Sequence, residues 1–189
     1  MSESYPDTQL ETREELRAWF IDNHANSAGI WLVSWRRDDL GLRIGYEAIV
    51  QECLCFGWID STAKTVDPQR NALRLTPRRP GSGWSKSNKD RLEHLIPAGL
   101  MHPAGLSVLE QAKADGSWTV LDDGEALIVP PDLEFALQTA KAREQFDALT
   151  PGRRKQLLWW ITGAKREATR QARIEKTVTA ALVGKSALD

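Results

Sequence analysis

The chain has 189 residues, is 41% hydrophobic and 27% charged, and carries a formal net charge of −1 at pH 7, which is the composition of an ordinary globular protein. Its two cysteines, Cys53 and Cys55, are too close in sequence to form a disulfide readily and lack a second pair or a nearby histidine, so we expect no zinc site. The first twenty residues are acidic and contain no apolar run, so we expect neither a signal peptide nor a membrane span and predict a cytoplasmic protein.

Helix and strand patterns alternate in the first 116 residues. Thr12 and Glu15 form a capping-box pattern that predicts the start of the first helix. After the first strand, polar residues over 36–39 predict an exit, and Gly41 predicts a turn. In chain order the predicted elements are a helix from 12 to about 26, a strand over 30–35, a helix from 46 that Gly57 ends, strands over 59–66 and 72–76, a helix capped by Ser85 or Ser87 that 97–99 ends, and a helix over 103–116.

After residue 116 the chain shows one more strand pattern and then helical patterns. Trp118–Leu121 predicts a last short strand, and residues 122–131, with their paired prolines, predict a connector. Apolar spacing then predicts a short helix near 133–137, a helix after the cap at Thr150 that is interrupted at Gly163, and a final helix that ends at 184. We therefore predict an α+β fold. Residues 1–122 form a domain with a small sheet and several helices, and residues 131–189 form an all-helical C-terminal domain.

Charge is segregated along the chain. The formal sums are −6 over residues 1–63, +6 over 64–91, −7 over 92–149 and +7 over 150–185. Each basic block can pair with an acidic neighbour in the fold, and surface pairs of this kind contribute little stability. Alternatively, the two basic blocks form surfaces that attract phosphate or nucleic acid.

Two segments of the first part combine tryptophan with charged and small polar residues. In FGWIDS, residues 56–61, a carboxylate follows the end of a helix, where it can act as a base or cap another element. In TPRRPGSGWSKSNK, residues 76–89, arginines and a tryptophan precede a predicted helix N-terminus, which suits an anion. We predict ligand-binding roles for eight residues of these segments, namely Trp58, Asp60, Ser61, Arg78, Trp84, Ser85, Asn88 and Lys89.

A third segment, WWITGAKREATRQARIEK, places basic residues at spacings near three and four. On a helix they would form a basic stripe suited to phosphate. The alternative is a solvated helix face whose charges pair locally with Glu167 and Glu175. The predicted stripe consists of Lys165, Arg166, Arg170 and Arg173.

Several stretches match one known family in the same order along the chain. They are GIWLVSWRR, ECLCFGWIDS, LTPRRPGSGWSKSNK, LIPAGLMHPAGL, AKADGSW and, in the C-terminal part, FDALTPGRRKQLLWWITGAKREATRQARI. From about Leu16 to about Leu182 the chain thereby resembles the YdeI/OmpD-associated family, also called bacteriocin-protection proteins. The resemblance implies a link to resistance against cationic antimicrobial peptides, and a periplasmic location for some members. It supplies no catalytic residues.

We predict a non-enzymatic binding protein with a small anion or a peptide as its partner, and the resemblance implies that it is linked to peptide resistance or envelope stress. One alternative is a protein that binds nucleic acid or phosphate through residues 64–91 and 150–185. Another is an enzyme in which Asp60 is the acid or base and Arg78 the electrostatic clamp. We predict no catalytic residues, cofactor or metal for the favoured function.

Overall fold

The structure, a computed structural model, describes residues 5–36 and 44–188. These residues form helices and one four-stranded sheet, which confirms the predicted α+β class. The turn expected at Gly41 lies outside the described residues. The described chain divides into two compact units. The first comprises the residues up to Ser82 together with Ser87–Trp118, and the second comprises Gly83–Lys86 and the residues from Thr119 onward.

The first unit contains the sheet and four helices. In chain order its elements are β1 (Asp7–Gln9), α1 (Arg13–Asn23), β2 (Ile30–Trp35), α2 (Tyr46–Cys55), β3 (Trp58–Thr65), β4 (Arg70–Pro77), α3 (Lys86–Leu95, whose first residue belongs to the second unit) and α4 (Pro103–Ala114). The strand order is β1-β2-β4-β3. The edge strand β1 runs parallel to β2, and the other neighbours are antiparallel. The capping box predicted at Thr12 is present, with both of its hydrogen bonds.

Side chains alternate between the two faces of the sheet. On the face toward α1 and α2 lie buried apolar residues such as Leu32 and Leu75. Trp58 belongs to the same face, where its Nε1 donates to the carbonyl of His24, the residue that caps α1. Register pairs such as Trp31 with Arg74 belong to the opposite face, because cross-strand partners share a side of the sheet. We call this second face the outer face.

The segment predicted as a strand at Trp118–Leu121 is a turn, so that prediction is wrong. Gly116 has a φ of +80°, in the left-handed region that glycine favours, and the Trp118 N–H donates to the carbonyl of Ala112. The chain therefore turns back over the end of α4. The short α5 (Asp122–Glu125) follows where a connector was expected.

Helices are the regular secondary structure of the second unit in its described residues. After α5 come α6 (Pro131–Thr139), α7 (Arg143–Asp147), α8 (Pro151–Thr162) and α9 (Glu167–Leu182). Apolar residues from α6 to α9 form its core, among them Leu133, Leu137, Phe146, Leu157, Ile161 and Ile174. In the part of the chain that the structure covers, no helix is long and apolar enough to cross a membrane.

Candidate functional site

Asp60 lies on the helix-facing side of β3 and accepts a hydrogen bond from Tyr46. The Tyr46 Oη atom is 2.8 Å from Oδ2 of Asp60, although 54% of Tyr46 is exposed. Partial burial raises the pKa of Tyr46 to about 12, and the hydrogen bond to Asp60 adds to the rise. The hydroxyl therefore stays protonated at neutral pH and acts as a donor to the carboxylate.

Arg91, in the middle of α3, binds residues at the start of α2 and at the start of its own helix. Its Nε and Nη2 atoms lie 2.9 and 2.8 Å from the two carboxylate oxygens of Glu47, a bidentate ion pair. The same guanidinium donates to the carbonyl of Ser87 at 3.1 Å and to Oδ1 of Asn88 at 3.3 Å. Hydrogen bonding from Arg91 lowers the pKa of Glu47. Asn88, predicted to bind a ligand, is thus held by a neighbouring side chain.

Arg78 lies near Asp60 at the end of β4. The residue is 6% exposed, and its N–H donates to the carbonyl of Gly57 at 3.0 Å. Burial lowers the pKa of Arg78 to about 10, and the charge of Asp60 partly offsets that effect. The guanidinium is therefore charged at neutral pH. Asp60 and Arg78, the acid or base and the electrostatic clamp of the enzyme alternative, therefore lie in one neighbourhood, which also contains Tyr46 and Arg91.

The predicted tryptophans are core residues. Trp58 and Trp84 are each 1% exposed, so neither ring has a face open to a ligand in this structure. Trp84 and Ser85 belong to the second unit, whereas the other six predicted residues belong to the first. The Nζ atom of Lys89 lies 4.9 Å from the ring centroid of Trp118, a cation–π contact between two residues of the first unit. The roles expected for Trp58 and Trp84 conflict with their burial, and we leave both out of the site.

The side chain of Ser61 lies on the face of the sheet opposite to that of Asp60, because successive side chains of a strand point to opposite faces. It lines a cavity of about 440 Å³ on the outer face of the sheet, which we call the arginine cavity. Ile59 and Pro77 contribute apolar atoms to its wall. The remaining wall residues are polar or aromatic, namely Tyr5, Ser61, Arg74, Thr76, Arg79 and Ser82.

The arginine cavity is a basic site. Arg74 is fixed by a hydrogen bond of 2.9 Å from its Nε to Oγ of Ser61. Among the described residues, no carboxylate forms an ion pair with Arg74 or Arg79, and the wall contains none. Guanidinium groups donate in a planar fork that suits phosphate and carboxylate oxygens, and hydroxyls add further donors. This arrangement is therefore suited to an anion.

Sequence reasoning missed Tyr5, Arg74 and Arg79 as site residues. Arg74 occupies an outward position of a predicted strand, where a basic side chain carries no special signal. Of the adjacent pair Arg78 and Arg79, we predicted the first, which is buried near Asp60, while the second lines the cavity. Alternation along β4 places Arg74 and Thr76 on one face, and this was the available signal.

The predicted basic stripe is not one continuous surface. Arg170 forms a bidentate ion pair with Asp132, at 2.6 and 2.9 Å, which raises the pKa of Arg170 and lowers that of Asp132. Arg173 donates to the carbonyl of Trp160, and its guanidinium lies 5.1 Å from the centroid of that ring. Only two of the four, Lys165 and Arg166, are exposed, and the other two are partly buried. For Arg170 the stripe interpretation is corrected, because the guanidinium joins α9 to α6.

Comparison with known families divides the chain in two. Residues 8–108 match the family described as "Domain of unknown function (DUF8412)", and residues 126–184 match the family described as "Bacteriocin-protection, YdeI or OmpD-Associated". The predicted resemblance is thus confirmed over a narrower range than expected. No curated protein and no solved structure matches the chain significantly. Residues 126–184 are thus similar to the YdeI/OmpD-associated family, and since the first match spans more than half of the sequence, the chain belongs to the DUF8412 family.

Proposed function

We propose that this protein binds a small anion that carries phosphate or carboxylate oxygens, and that it does so in the arginine cavity. The observation that supports the proposal is the composition of the cavity wall. Arg74 and Arg79 line it together with three aliphatic hydroxyls, and none of the described wall residues is a carboxylate that could neutralise them. A cavity of about 440 Å³ is within the usual range for small-molecule sites.

The rigidity of Arg74 supports a binding role. Ser61 holds one edge of this guanidinium at 2.9 Å and leaves its terminal nitrogens for a ligand. A side chain that is already ordered loses less conformational entropy when it binds than a free arginine would. Arg79, by contrast, is exposed and can close over a bound anion from the rim. One donor group held by Ser61 and one exposed donor group together favour binding of a charged ligand.

The family description links the C-terminal region to bacteriocin protection. Under our proposal, a role in resistance against cationic peptides or envelope stress is indirect. Two arginines repel a cationic peptide, so the cavity binds an anionic ligand in place of the peptide. Direct capture of a cationic peptide would instead use acidic surfaces elsewhere on the chain.

Calorimetric titration with inorganic phosphate, pyrophosphate and citrate tests the proposal. We expect saturable binding of at least one of these anions, and a loss of about 10- to 100-fold in affinity for Arg74→Ala and for Arg79→Ala, since hydrogen bonds to charged groups contribute about 1.5–3 kcal/mol. Arg70→Ala is the matched control, because Arg70 is on the same face of β4 but pairs with Asp67 at 2.8 Å. Absence of saturable binding for all three anions refutes the proposal, as does an equal loss in the Arg70 variant.

A further inference from the structure

Trp31 lies beside the arginine cavity on the outer face of the sheet. It is the register partner of Arg74 on one side and of Asp7 on the other. Its backbone N–H donates to the carbonyl of Pro6 at 2.9 Å, directly after the cavity residue Tyr5. Trp31 therefore has Asp7 as its direct neighbour on β1 and Arg74 as its direct neighbour on β4. Tyr5, which precedes Asp7 by two residues, lies against Gly29 on the same face and lines the cavity. Aromatic rings and guanidinium groups thus occupy adjoining parts of one surface.

We infer that the anion bound in this cavity is a nucleotide, with its phosphate at Arg74 and Arg79 and its base against Tyr5 and Trp31. The inference rests on the proposed function and specifies its ligand. A phosphate joined to a planar heteroaromatic ring matches both parts of the surface, because every base has a π-face that stacks on an aromatic side chain. Inorganic phosphate or a small carboxylate would use the arginines and leave the aromatic side unoccupied.

The ammonium group of Lys64 lies over the ring of Trp31. The Nζ atom of Lys64 lies 4.3 Å from the ring centroid and 3.0 Å from a carboxylate oxygen of Asp7. Both partners of this ion pair are well exposed, so the pair holds the lysine weakly. Stacking of a base on a ring is stronger than a solvent-exposed cation–π contact. A base therefore displaces the ammonium group from the ring, and the released charge remains close to the phosphate.

The second tryptophan on the outer face, Trp35, is less accessible to a stacked base than Trp31, because an arginine is held beside it. The next aromatic residue along β2, Trp35, pairs in register with Arg70. The Arg70 guanidinium is held by Asp67 at 2.8 Å and by Gln9 at 3.1 Å, and it lies 5.8 Å from the Trp35 ring centroid. This arginine is thus engaged in several contacts, whereas those of Lys64 are weak. The geometry favours a mononucleotide over single-stranded nucleic acid.

Affinities for inorganic phosphate, ribose 5-phosphate, AMP and a six-residue oligoadenylate, measured on the full chain, test this inference. We expect AMP to bind at least 10-fold more tightly than ribose 5-phosphate. Trp31→Leu should lower AMP affinity to that of ribose 5-phosphate while leaving ribose 5-phosphate binding unchanged, and Trp31→Phe should restore most of the difference. Trp35→Leu is the matched control and should change neither affinity. Thermal melting of each variant establishes that it is folded.

The outcomes separate this inference from the proposed function. If phosphate binds but AMP is no tighter than ribose 5-phosphate, the nucleotide assignment is wrong and the anion site stands. If the oligoadenylate binds far more tightly than AMP, and both tryptophan variants weaken it, the ligand is single-stranded nucleic acid and the mononucleotide assignment is again wrong. If no phosphate compound binds, the proposed function itself fails.

Discussion

Glu52 offers the sharpest test of what holds the first unit together. It is fully buried on α2, with Arg13 Nε at 2.7 Å and Arg17 Nη1 at 2.9 Å from its two carboxylate oxygens. Arg17 also donates to the carbonyl of Leu100 at 2.8 Å, in the segment between α3 and α4. The carboxylate therefore links α1 to α2 and, through Arg17, to the chain that leads into α4.

Removal of this carboxylate leaves two arginines without their shared partner. Breaking a buried ion pair typically costs about 3–5 kcal/mol of unfolding free energy. The side chains of Arg13 and Arg17 are 36% and 33% exposed, so water partly solvates them after the change. We therefore expect Glu52→Ala to fall at the lower end, about 3 kcal/mol. Glu52→Gln keeps the shape and one acceptor, and we expect a loss of about 1–3 kcal/mol for the charge-assisted hydrogen bonds.

Urea unfolding, followed together with amide hydrogen exchange, measures the loss and assigns it to α1 and α2. Glu47→Gln is the control, since Glu47 is on the same helix but its ion pair with Arg91 is exposed, and such pairs contribute about 0–1 kcal/mol. A loss below about 1 kcal/mol for Glu52→Ala, or losses of equal size in the Glu52→Ala and Glu47→Gln variants, contradicts the reasoning about buried charge.

Two further predictions concern titrating groups. The chain has two tyrosines, and ultraviolet titration should show one ionising near pH 12, a phase that Tyr46→Phe removes; its persistence in that variant contradicts the assignment. In the second unit, hydrogen bonding from Arg170 holds the pKa of Asp132 below its ordinary value of 3.8. Its stabilising contribution is therefore complete above about pH 4 and is lost as the pH falls through the lowered pKa. Acid titration of melting temperature should be steeper in the wild type than in Asp132→Asn, and equal slopes would show that the pair is not linked to folding.

Local signals predicted most of the elements. The capping box at Thr12, the apolar run at Ile30–Trp35 and the proline at 103 each correspond to an element that the structure contains. Two helices were missed, α5 and α7, because four or five residues are too few to show a helical period. The strand β1 was missed as well. Its three residues depend on parallel pairing with β2, a long-range contact that no local pattern reveals.

The site was less predictable than the fold. Sequence spacing does not indicate which of two adjacent arginines turns inward, and Arg78 and Arg79 differ in this respect because of the bend after β4. The basic block over residues 64–91 was visible in the sequence and includes Arg74 and Arg79. Tyr5, by contrast, lies beside these arginines only because β1 pairs with β2, a contact that the sequence does not reveal. The site residues that were not predicted depend either on a contact between residues distant in sequence or on the direction of a side chain just after a strand ends.

The alternation of Arg74, Leu75 and Thr76 along β4 determines which changes the binding site can tolerate. Leu75 is in the core, while its neighbours Arg74 and Thr76 line the arginine cavity. A slip of one residue against β3 would bury a guanidinium and expose a leucine, and such a chain would not fold. Correct folding of the sheet therefore guarantees the placement of the anion-binding groups, so a variant that folds but binds poorly must differ in side-chain chemistry and not in strand alignment.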